Sequence, residues 1–345
     1  MRNGKARQVW RLKDSVKELG ELASSAGAEV VGTITQNLSK HSNTYLGKGK
    51  IEELKDLAAD LELDTVICDD ELNPNQQLNL EKALDGVKVI DRTALILDIF
   101  AANALTKEGR LQVELAQHEY LLPRLAGQWT HLERLGGGIG TRGPGESQIE
   151  TDRRLARGRI LRLKKDIEKV RQHRSRYRER RRSSEAKIVA LVGYTNAGKS
   201  TLLNSLTSAE VVAENRMFST LDPVTRRLKL PSGSDVLLTD TVGFIQKLPT
   251  TLIAAFRATL EEINEADLIL HVLDVTHERR VEHSESVKSI IAEIGLTEKP
   301  ILTVLNKWDK FPHEYDPFSD EPLRQFIEGF ESAIFCSGIS GVGKT

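Results

Sequence analysis

The sequence contains little cysteine, few aromatic residues and no long apolar run. Its 345 residues include two cysteines, Cys68 and Cys336, and only 5% are aromatic. Each cysteine lies in an apolar run that predicts a strand, so we expect buried thiols in a reducing compartment, which excludes a disulfide framework. The sequence shows neither a signal peptide nor a run of about 18 apolar residues. These absences predict a cytoplasmic protein without a membrane span, and we expect a monomer.

The near-neutral charge of the whole chain conceals a strongly basic segment. Between Arg153 and Arg182, fifteen Lys or Arg residues face three acidic ones, whereas the whole chain carries a net charge of −1. This density favours contact with nucleic-acid phosphates, although a solvated helix paired with acidic neighbours is the alternative. Tyr177 is the one aromatic residue in the segment, so stacking on single-stranded bases is not supported. Phosphate and shape contacts to structured RNA fit the pattern better.

Alternating strand and helix patterns predict an α/β fold. Before residue 92, the apolar spacing predicts strands at 28–35, 64–68 and 87–90, separated by helices. We therefore expect a small parallel α/β domain over residues 1–92. Residues 93–184 read as a long helical hairpin subdomain, and residues 185–345 as a third domain with a buried sheet. The first strand of that third domain starts near Ala186.

Two features of the helical subdomain favour binding. A loop at 136–145 contains six glycines within ten residues and carries Arg142, so it forms no regular element. We favour a binding loop over a plain spacer, because long irregular loops are often functional. The basic helix over 148–182 follows it directly.

The segment from Gly193 to Ser200 fits the pattern G-x-x-x-x-G-K-[ST]. An apolar strand precedes it and a helical pattern follows, so the loop directs free N–H groups and a positive helix end at an anion. We expect Lys199 to reach the terminal phosphates of a nucleotide and the Ser200 hydroxyl to bind Mg²⁺. The predicted phosphate-binding residues are Gly193, Tyr194, Thr195, Asn196, Ala197, Gly198, Lys199, Ser200 and Thr201.

Two later strand ends carry further nucleotide motifs. Asp240 and Gly243 form Asp-x-x-Gly, 41 residues after Lys199, which suits a water-mediated Mg²⁺ contact and a γ-phosphate contact. Asn306-Lys307-Trp308-Asp309 follows another apolar strand. The order of the three motifs resembles the GTPase superfamily and implies a Ras-like phosphate-loop domain that binds GTP or GDP.

The same resemblance assigns roles at the base. Asp309 accepts from guanine N1–H and the 2-amino group, which adenine lacks as a pair. Asn306 braces its loop, and the Lys307 stem lies against the base. Ser337-Gly338 resembles the last guanine-contacting loop, in which Gly338 replaces the usual alanine.

Residues 218–223 fall where such a GTPase has its first switch. Thr220 is the preferred third Mg²⁺ ligand, beside Ser200 and Asp240, and Ser219 is the second choice. Many relatives place a water-orienting Gln after the glycine of Asp-x-x-Gly, whereas this chain has Phe244. We therefore expect slow unassisted hydrolysis. Asn196 matches a position that potassium-dependent GTPases use, so K⁺ is a further candidate cofactor; the predicted catalytic residues are Lys199, Thr220, Gly243 and Asn196.

A second match to the phosphate-loop pattern spans residues 338–345. It lies where the last guanine loop belongs and has no following helix, so we interpret it as a chance match. We expect the sequence to lack the closing helix of the domain.

Several motifs together resemble the HflX family, in the OBG–HflX-like group of GTPases. They are Gly47-Lys48-Gly49-Lys50, Asp91-Arg92-Thr93, residues 112–116, residues 140–146, residues 218–223 and residues 240–245. The resemblance implies a ribosome-associated GTPase that binds the large subunit and its rRNA, and that splits or rescues stalled ribosomes under stress. The glycine-rich loop and basic helix suit that partner.

Two other functions stay open from the sequence alone. One is a nucleotide-gated rRNA-binding scaffold or ribosome assembly factor with little hydrolysis of its own, which Phe244 favours. The other is an NTPase that also accepts adenine nucleotides through a second site in the N-terminal domain.

Overall fold

The structure is a computed structural model that describes residues 12–37, 42–125, 144–182, 186–207, 217–247, 257–312, 316, 319–341 and 343. Within these ranges the chain forms two compact units. The first unit contains the residues up to 99 together with 116–162, and the second contains 100–115 together with the residues from 163 onward.

The first part of the chain is mainly helical. Its elements are α1 (Leu12–Ser25), α2 (Lys48–Asp60), β1 (Thr65–Cys68), α3 (Pro74–Ala83), β2 (Lys88–Asp91), α4 (Arg92–Asn103), α5 (Lys107–Leu121) and α6 (Pro144–Arg182). The second part alternates strands and helices. Its elements are β3 (Lys187–Gly193), α7 (Lys199–Thr207), β4 (Val224–Lys229), β5 (Asp235–Asp240), α8 (Arg257–Glu265), β6 (Leu268–Asp274), α9 (Arg280–Glu293), β7 (Ile301–Asn306), a 3₁₀ turn (Trp308–Lys310), α10 (Glu321–Glu328) and β8 (Ala333–Phe335).

A two-stranded parallel sheet lies in the first unit. β1 pairs with β2, and Thr65 stands opposite Lys88. The sequence predicts a further strand at 28–35, and this prediction is wrong: those residues form no strand and pair with no neighbour. Val30 and Val31 are 45% and 52% exposed, so the β-branched pattern there has no sheet to join.

The C-terminal end of β2 is a buried polar junction. The Asp91 carboxylate accepts from the backbone N–H of Leu72 (3.0 Å) and Ala94 (2.9 Å), from the Tyr120 hydroxyl (2.9 Å) and from the Arg124 guanidinium (3.1 Å). Four donors satisfy a fully buried carboxylate, which otherwise would cost several kcal/mol to desolvate. The next residue, Arg92, is also buried and pairs with Glu18 and Asp69. Asp91 and Arg92 therefore link the end of β2 to α1, to α5 and to the loop after β1.

The helical subdomain that the sequence predicts from residue 93 begins with two helices, because the chain breaks after Asn103. α4 ends at Asn103 and α5 begins at Lys107. The Thr106 hydroxyl accepts from the Gly109 N–H at 2.9 Å, as an N-cap does. Apolar periodicity continues through the break, which is why the sequence pattern missed it.

The second unit is built on a six-stranded sheet in the order β4-β5-β3-β6-β7-β8. All neighbouring pairs are parallel except β4 with β5. The core against this sheet is apolar, and Leu191, Leu203 and Val272 are fully buried in it. Because the parallel strands run in one direction, their carboxyl ends meet at one edge, where α/β folds bind ligands.

The long helix α6 is strongly charged. Arg154, Arg157 and Arg162 are exposed in its described part, whereas Ile160 and Leu163 are buried. None of the helices that the structure describes combines the length and apolarity needed to cross a bilayer. Cys68 and Cys336 are both buried, as the sequence predicts, and they form no disulfide in the described part of the chain.

Candidate functional site

A cleft opens at the carboxyl edge of the six-stranded sheet. Its volume is about 410 Å³ when the open solvent at its mouth is included. The lining comprises Thr195, Asn196, Gly198, Lys199, Ser200, Thr201, Phe218, Ser219, Thr220, Thr241 and Gly243. The structure thus brings the first two predicted motifs and the predicted switch segment into one cleft. Thr241 and Phe218 are lining residues that the sequence reasoning did not select as site residues.

The loop from Gly193 to Ser200 joins β3 to α7. Its Lys199 is buried, and the Nζ atom donates to the carbonyl oxygens of Gly193 (3.2 Å) and Tyr194 (2.9 Å). Burial lowers the pKa of Lys199 to about 8, and the nearby Asp240 carboxylate opposes that shift. The amino group therefore lies in a dry site where an anion would stabilise its charge.

Three oxygen-bearing side chains converge beside Lys199. Ser200 Oγ donates to Asp240 Oδ2 at 2.6 Å and lies 2.8 Å from Thr220 Oγ1. Asp240 is fully buried, and its second oxygen has no hydrogen-bond partner among the described residues. Burial raises the pKa of Asp240, although Lys199 and the Ser200 hydrogen bond oppose this. A carboxylate and two hydroxyls are hard donors that suit Mg²⁺.

The loop after β7 contacts the phosphate loop directly. Asn306 Nδ2 donates to the Ala197 carbonyl oxygen at 2.9 Å, and Lys307 Nζ donates to the Asn196 carbonyl oxygen at 2.8 Å. Gly198 has φ +93°, and a Cβ there would lie 2.3 Å from Asn306 Nδ2. Only glycine therefore fits at this contact.

The last predicted loop holds the other end of the same segment. The Ser337 hydroxyl donates to Asp309 Oδ1 at 2.5 Å, and the Gly338 N–H donates to Asn306 Oδ1 at 3.1 Å. Asp309 itself is exposed at the edge of the sheet. Its carboxylate is thus fixed in orientation while it stays accessible to a ligand.

Phe244 is directed away from the cleft. Its side chain is 2% exposed and does not line the cleft. Its backbone N–H donates to the Gly193 carbonyl at 3.0 Å, and its carbonyl accepts from the Thr195 N–H at 2.8 Å. This short parallel bridge joins the Asp-x-x-Gly segment to the phosphate loop.

A ring stack behind the phosphate loop was not foreseen. The Tyr194 and His283 rings are parallel, with centroids 3.8 Å apart, and the His277 ring lies 4.3 Å from His283. The Tyr194 hydroxyl accepts from the Gln246 N–H at 3.0 Å. No sequence pattern predicts this stack, because an isolated histidine on a helix has no distinctive spacing.

Some predicted features lie outside the described residues. The glycine-rich loop at 136–145 falls there except for Pro144 and Gly145, where the loop prediction is wrong because these two residues begin α6, ahead of the predicted start at 148. Three residues of the second phosphate-loop match at 338–345 also lie outside the described residues. Among the described residues, no group of three or more His, Cys, Asp or Glu side chains is placed to hold a metal ion.

Three protein-family models match successive parts of the chain. They are described as "GTP-binding GTPase N-terminal" over residues 13–101, "GTP-binding GTPase Middle Region" over 103–181 and "50S ribosome-binding GTPase" over 188–307.

Curated relatives and solved structures agree with these models. GTPase HflX of Alkalihalophilus pseudofirmus is 55% identical over 305 residues, which cover 88% of this chain and 72% of that protein. GTPase HflX of Escherichia coli is 46% identical over 331 residues, with 96% and 76% coverage. A GTP-binding protein from Sulfolobus solfataricus in complex with GDP is 27% identical, with a TM-score of 0.50 and coverage of 95% and 91%.

Proposed function

The chain belongs to the HflX family of GTPases, and we propose that the cleft at the carboxyl edge of its sheet binds GTP with Mg²⁺ and hydrolyses the γ-phosphate bond. We propose further that this hydrolysis takes place on the large ribosomal subunit. The convergence of Ser200, Thr220 and Asp240 beside the buried Lys199 carries the first part of the proposal. The Sulfolobus relative is itself a GDP complex, which supports a guanine nucleotide here.

The proposed roles follow from the contacts. Lys199 and the N–H groups of the phosphate loop stabilise the negative charge that develops on the transferred phosphoryl group. Ser200 and Thr220 would hold Mg²⁺ directly and Asp240 would hold it through water, and the ion would supply positive charge beside the phosphates. The Gly243 N–H faces the γ-phosphate. Mg²⁺ fits these donors because one buried Asp240 oxygen has no hydrogen-bond partner among the described residues.

Base selection is assigned to the loops after β7 and β8. Asp309 accepts from both guanine donors, and the Ser337 hydroxyl fixes its carboxylate. Asn306 braces the loop after β7, the Lys307 stem lies against the base, and Gly338 contacts the base from the loop after β8. Asp309→Asn with ATP competing against labelled GTP tests the selection and the alternative of an adenine-accepting NTPase.

The attacking water needs a partner other than residue 244, because Phe244 is buried outside the cleft. Asn196 lines the cleft and is exposed, with φ +59°, at the position that matches potassium-dependent GTPases. We propose that K⁺ bound there adds positive charge near the γ-phosphate. Equal turnover in KCl and NaCl, for both the parent and Asn196→Ala, would contradict this role.

The ribosome is the proposed partner through the basic helix and the glycine-rich loop. Exposed arginines on α6 and the description of the matched family model support this. We propose that the protein splits or rescues stalled ribosomes under stress, as a cytoplasmic monomer. We propose that the chain divides at about residues 92 and 184; the matched ranges of the three family models meet at residues 101–103 and 181–188.

Single-turnover GTP hydrolysis with and without large subunits tests the proposal. A GTPase of this kind is slow alone and accelerates on the subunit. The buried Phe244 favours one other candidate, a nucleotide-gated scaffold, which would bind the subunit in its GTP state without faster hydrolysis. Separate binding assays against each subunit, in GTP and GDP states, distinguish these two outcomes.

A further inference from the structure

The switch segment is anchored on both sides of Thr220 by the turn between α4 and α5. After Thr220, Asp222 Oδ2 accepts from the backbone N–H groups of Leu105 (2.9 Å) and Thr106 (2.8 Å). Its Oδ1 atom accepts from the Thr106 hydroxyl. Asp222 therefore binds the start of α5 at Thr106, which lies 116 residues earlier in the chain. The Asp222 carboxylate lies at the positive end of that helix.

Before Thr220, Phe218 is held by α4. Its carbonyl oxygen accepts from Asn103 Nδ2 at 2.9 Å, and its ring meets the Phe100 ring edge to face at 4.8 Å. Phe218 has φ +58°, a conformation that a bulky residue rarely adopts. Such backbone strain persists only where surrounding contacts over-determine it. The contacts with Phe100 and Asn103 are of that kind.

Thr220 lies between these two anchors, with its hydroxyl 2.8 Å from Ser200. We infer that Asp222 and Asn103 are positioning residues, which hold Thr220 where it completes the Mg²⁺ shell of bound GTP. The inference rests on the proposed function, because it takes Thr220 as a metal ligand. Anchoring removes conformational entropy from the segment before the nucleotide binds, so less is lost on binding.

The positioning role predicts selectivity between nucleotides. Thr220 contributes only when a γ-phosphate and Mg²⁺ are present together, because a switch residue is ordered by both. Loss of an anchor therefore weakens the GTP complex and leaves the GDP complex unchanged. A merely structural contact would weaken both complexes alike, or neither.

Gly109 offers a variant that removes no hydrogen-bonding group. A Cβ at this position would lie 2.3 Å from Asp222 Oδ1, so Gly109→Ala displaces the carboxylate. Alanine also favours the helix over glycine, so α5 itself gains stability. Gly20→Ala is the matched control, since Gly20 lies in α1 and a Cβ there meets nothing within 4 Å.

The test measures the Kd of a non-hydrolysable GTP analogue and of GDP, in Mg²⁺ and in EDTA, for the full chain. We expect Gly109→Ala, Asp222→Ala and Asn103→Ala each to raise the Kd of the analogue in Mg²⁺ by about tenfold. The Kd of GDP should stay within about twofold of the parent value, because GDP lacks the γ-phosphate through which Thr220 contributes. Gly20→Ala should change neither the Kd of the analogue nor that of GDP. The melting temperature of every variant is measured beside its Kd values, which separates a change in nucleotide affinity from unfolding.

Thr220→Ala distinguishes a failure of the positioning role from a failure of the proposed metal site. If Thr220→Ala weakens the analogue while the three anchor variants do not, the positioning role is wrong and the proposed metal site stands. Parallel losses for the analogue and GDP in the anchor variants likewise contradict the positioning role. If Thr220→Ala has no Mg²⁺-dependent effect, the metal site is wrong, and the positioning role is overturned with it.

Discussion

Asp309 shows how a single exposed carboxylate can select a base. The Ser337 hydroxyl restrains one carboxylate oxygen, while the side chain stays open to solvent at the sheet edge. A pair of acceptors in fixed orientation distinguishes guanine, with two adjacent donors, from bases that present an acceptor at either position.

Asp309→Asn should change the preferred base. The amide keeps one acceptor and gains a donor, which suits the 2-carbonyl of xanthine and not the 2-amino group of guanine. We expect GTP affinity to fall about 10- to 100-fold, because a charged hydrogen bond is lost, and affinity for xanthosine triphosphate to rise. Direct binding of both nucleotides measures this. Asp235→Asn, a half-buried change at the start of β5, is the control, and an unchanged GTP affinity in Asp309→Asn would contradict the assignment.

Phe244 occupies the position of a catalytic side chain but has a structural role. Introducing the glutamine that many GTPases carry should therefore not accelerate hydrolysis. We expect Phe244→Gln to lower the free energy of unfolding by about 3 kcal/mol, because a buried ring is lost and an amide is buried. Single-turnover rates and denaturant unfolding measure the two effects. Phe244→Leu, which stays apolar, should lose less stability, and a faster Gln variant would show that residue 244 reaches the substrate.

At the scale of elements, α9 supports the phosphate loop through the stack of His283 on Tyr194. Burial lowers the pKa of His283 to about 3, and His277 and Arg279 add to that shift while Asp274 opposes it. Burial likewise lowers the pKa of His271 in β6 to about 4. Both rings stay neutral in the folded chain, whereas in the unfolded chain they take up a proton near pH 6.5.

The second unit should therefore lose stability in mild acid. Between pH 6.5 and about 4, the unfolded state binds more protons than the folded state, so the free energy of unfolding falls as pH falls. His283 alone accounts for about 2 kcal/mol at pH 5. His283→Phe keeps the stack and should reduce the loss between pH 7 and pH 5 by that amount, as urea unfolding at both values would measure. An unaltered pH dependence in His283→Phe would contradict its burial as a neutral ring.

Local patterns predicted the elements that carry their own signals. The strand–loop–helix around Gly193 and the strands before Asp240 and Asn306 are regular in sequence and in structure. The strand at 28–35 was wrong because β-branched residues need a neighbouring strand, and no local pattern supplies one. The break between α4 and α5 was missed for a similar reason. Asp222, which binds the turn between α4 and α5, lies more than 100 positions later in the chain.

At the scale of the whole molecule, the charge distribution predicts how binding to RNA depends on salt. Removing phosphate contacts lowers affinity and also flattens its dependence on salt concentration. We expect replacement of Arg154, Arg157 and Arg162 by Gln to reduce the slope of log K against log salt by about 2 for the large ribosomal subunit.

The control removes the same charge elsewhere, through Gln at the exposed Lys13, Arg226 and Lys229. Its slope should match that of the parent chain. Equal slopes for all three proteins would show that the described part of α6 does not contact rRNA phosphates.

Asn306 has a consequence for the whole bound nucleotide. Its amide nitrogen binds the phosphate loop at Ala197, and its amide oxygen binds the last base loop at Gly338. The two ends of the ligand are therefore recognised by parts of one connected network, and neither half contributes an independent increment of affinity. Guanosine and pyrophosphate, offered together as separate molecules, should each bind more tightly in the presence of the other. In this chain the Asn306 carboxamide couples the binding of the phosphates to the binding of the base.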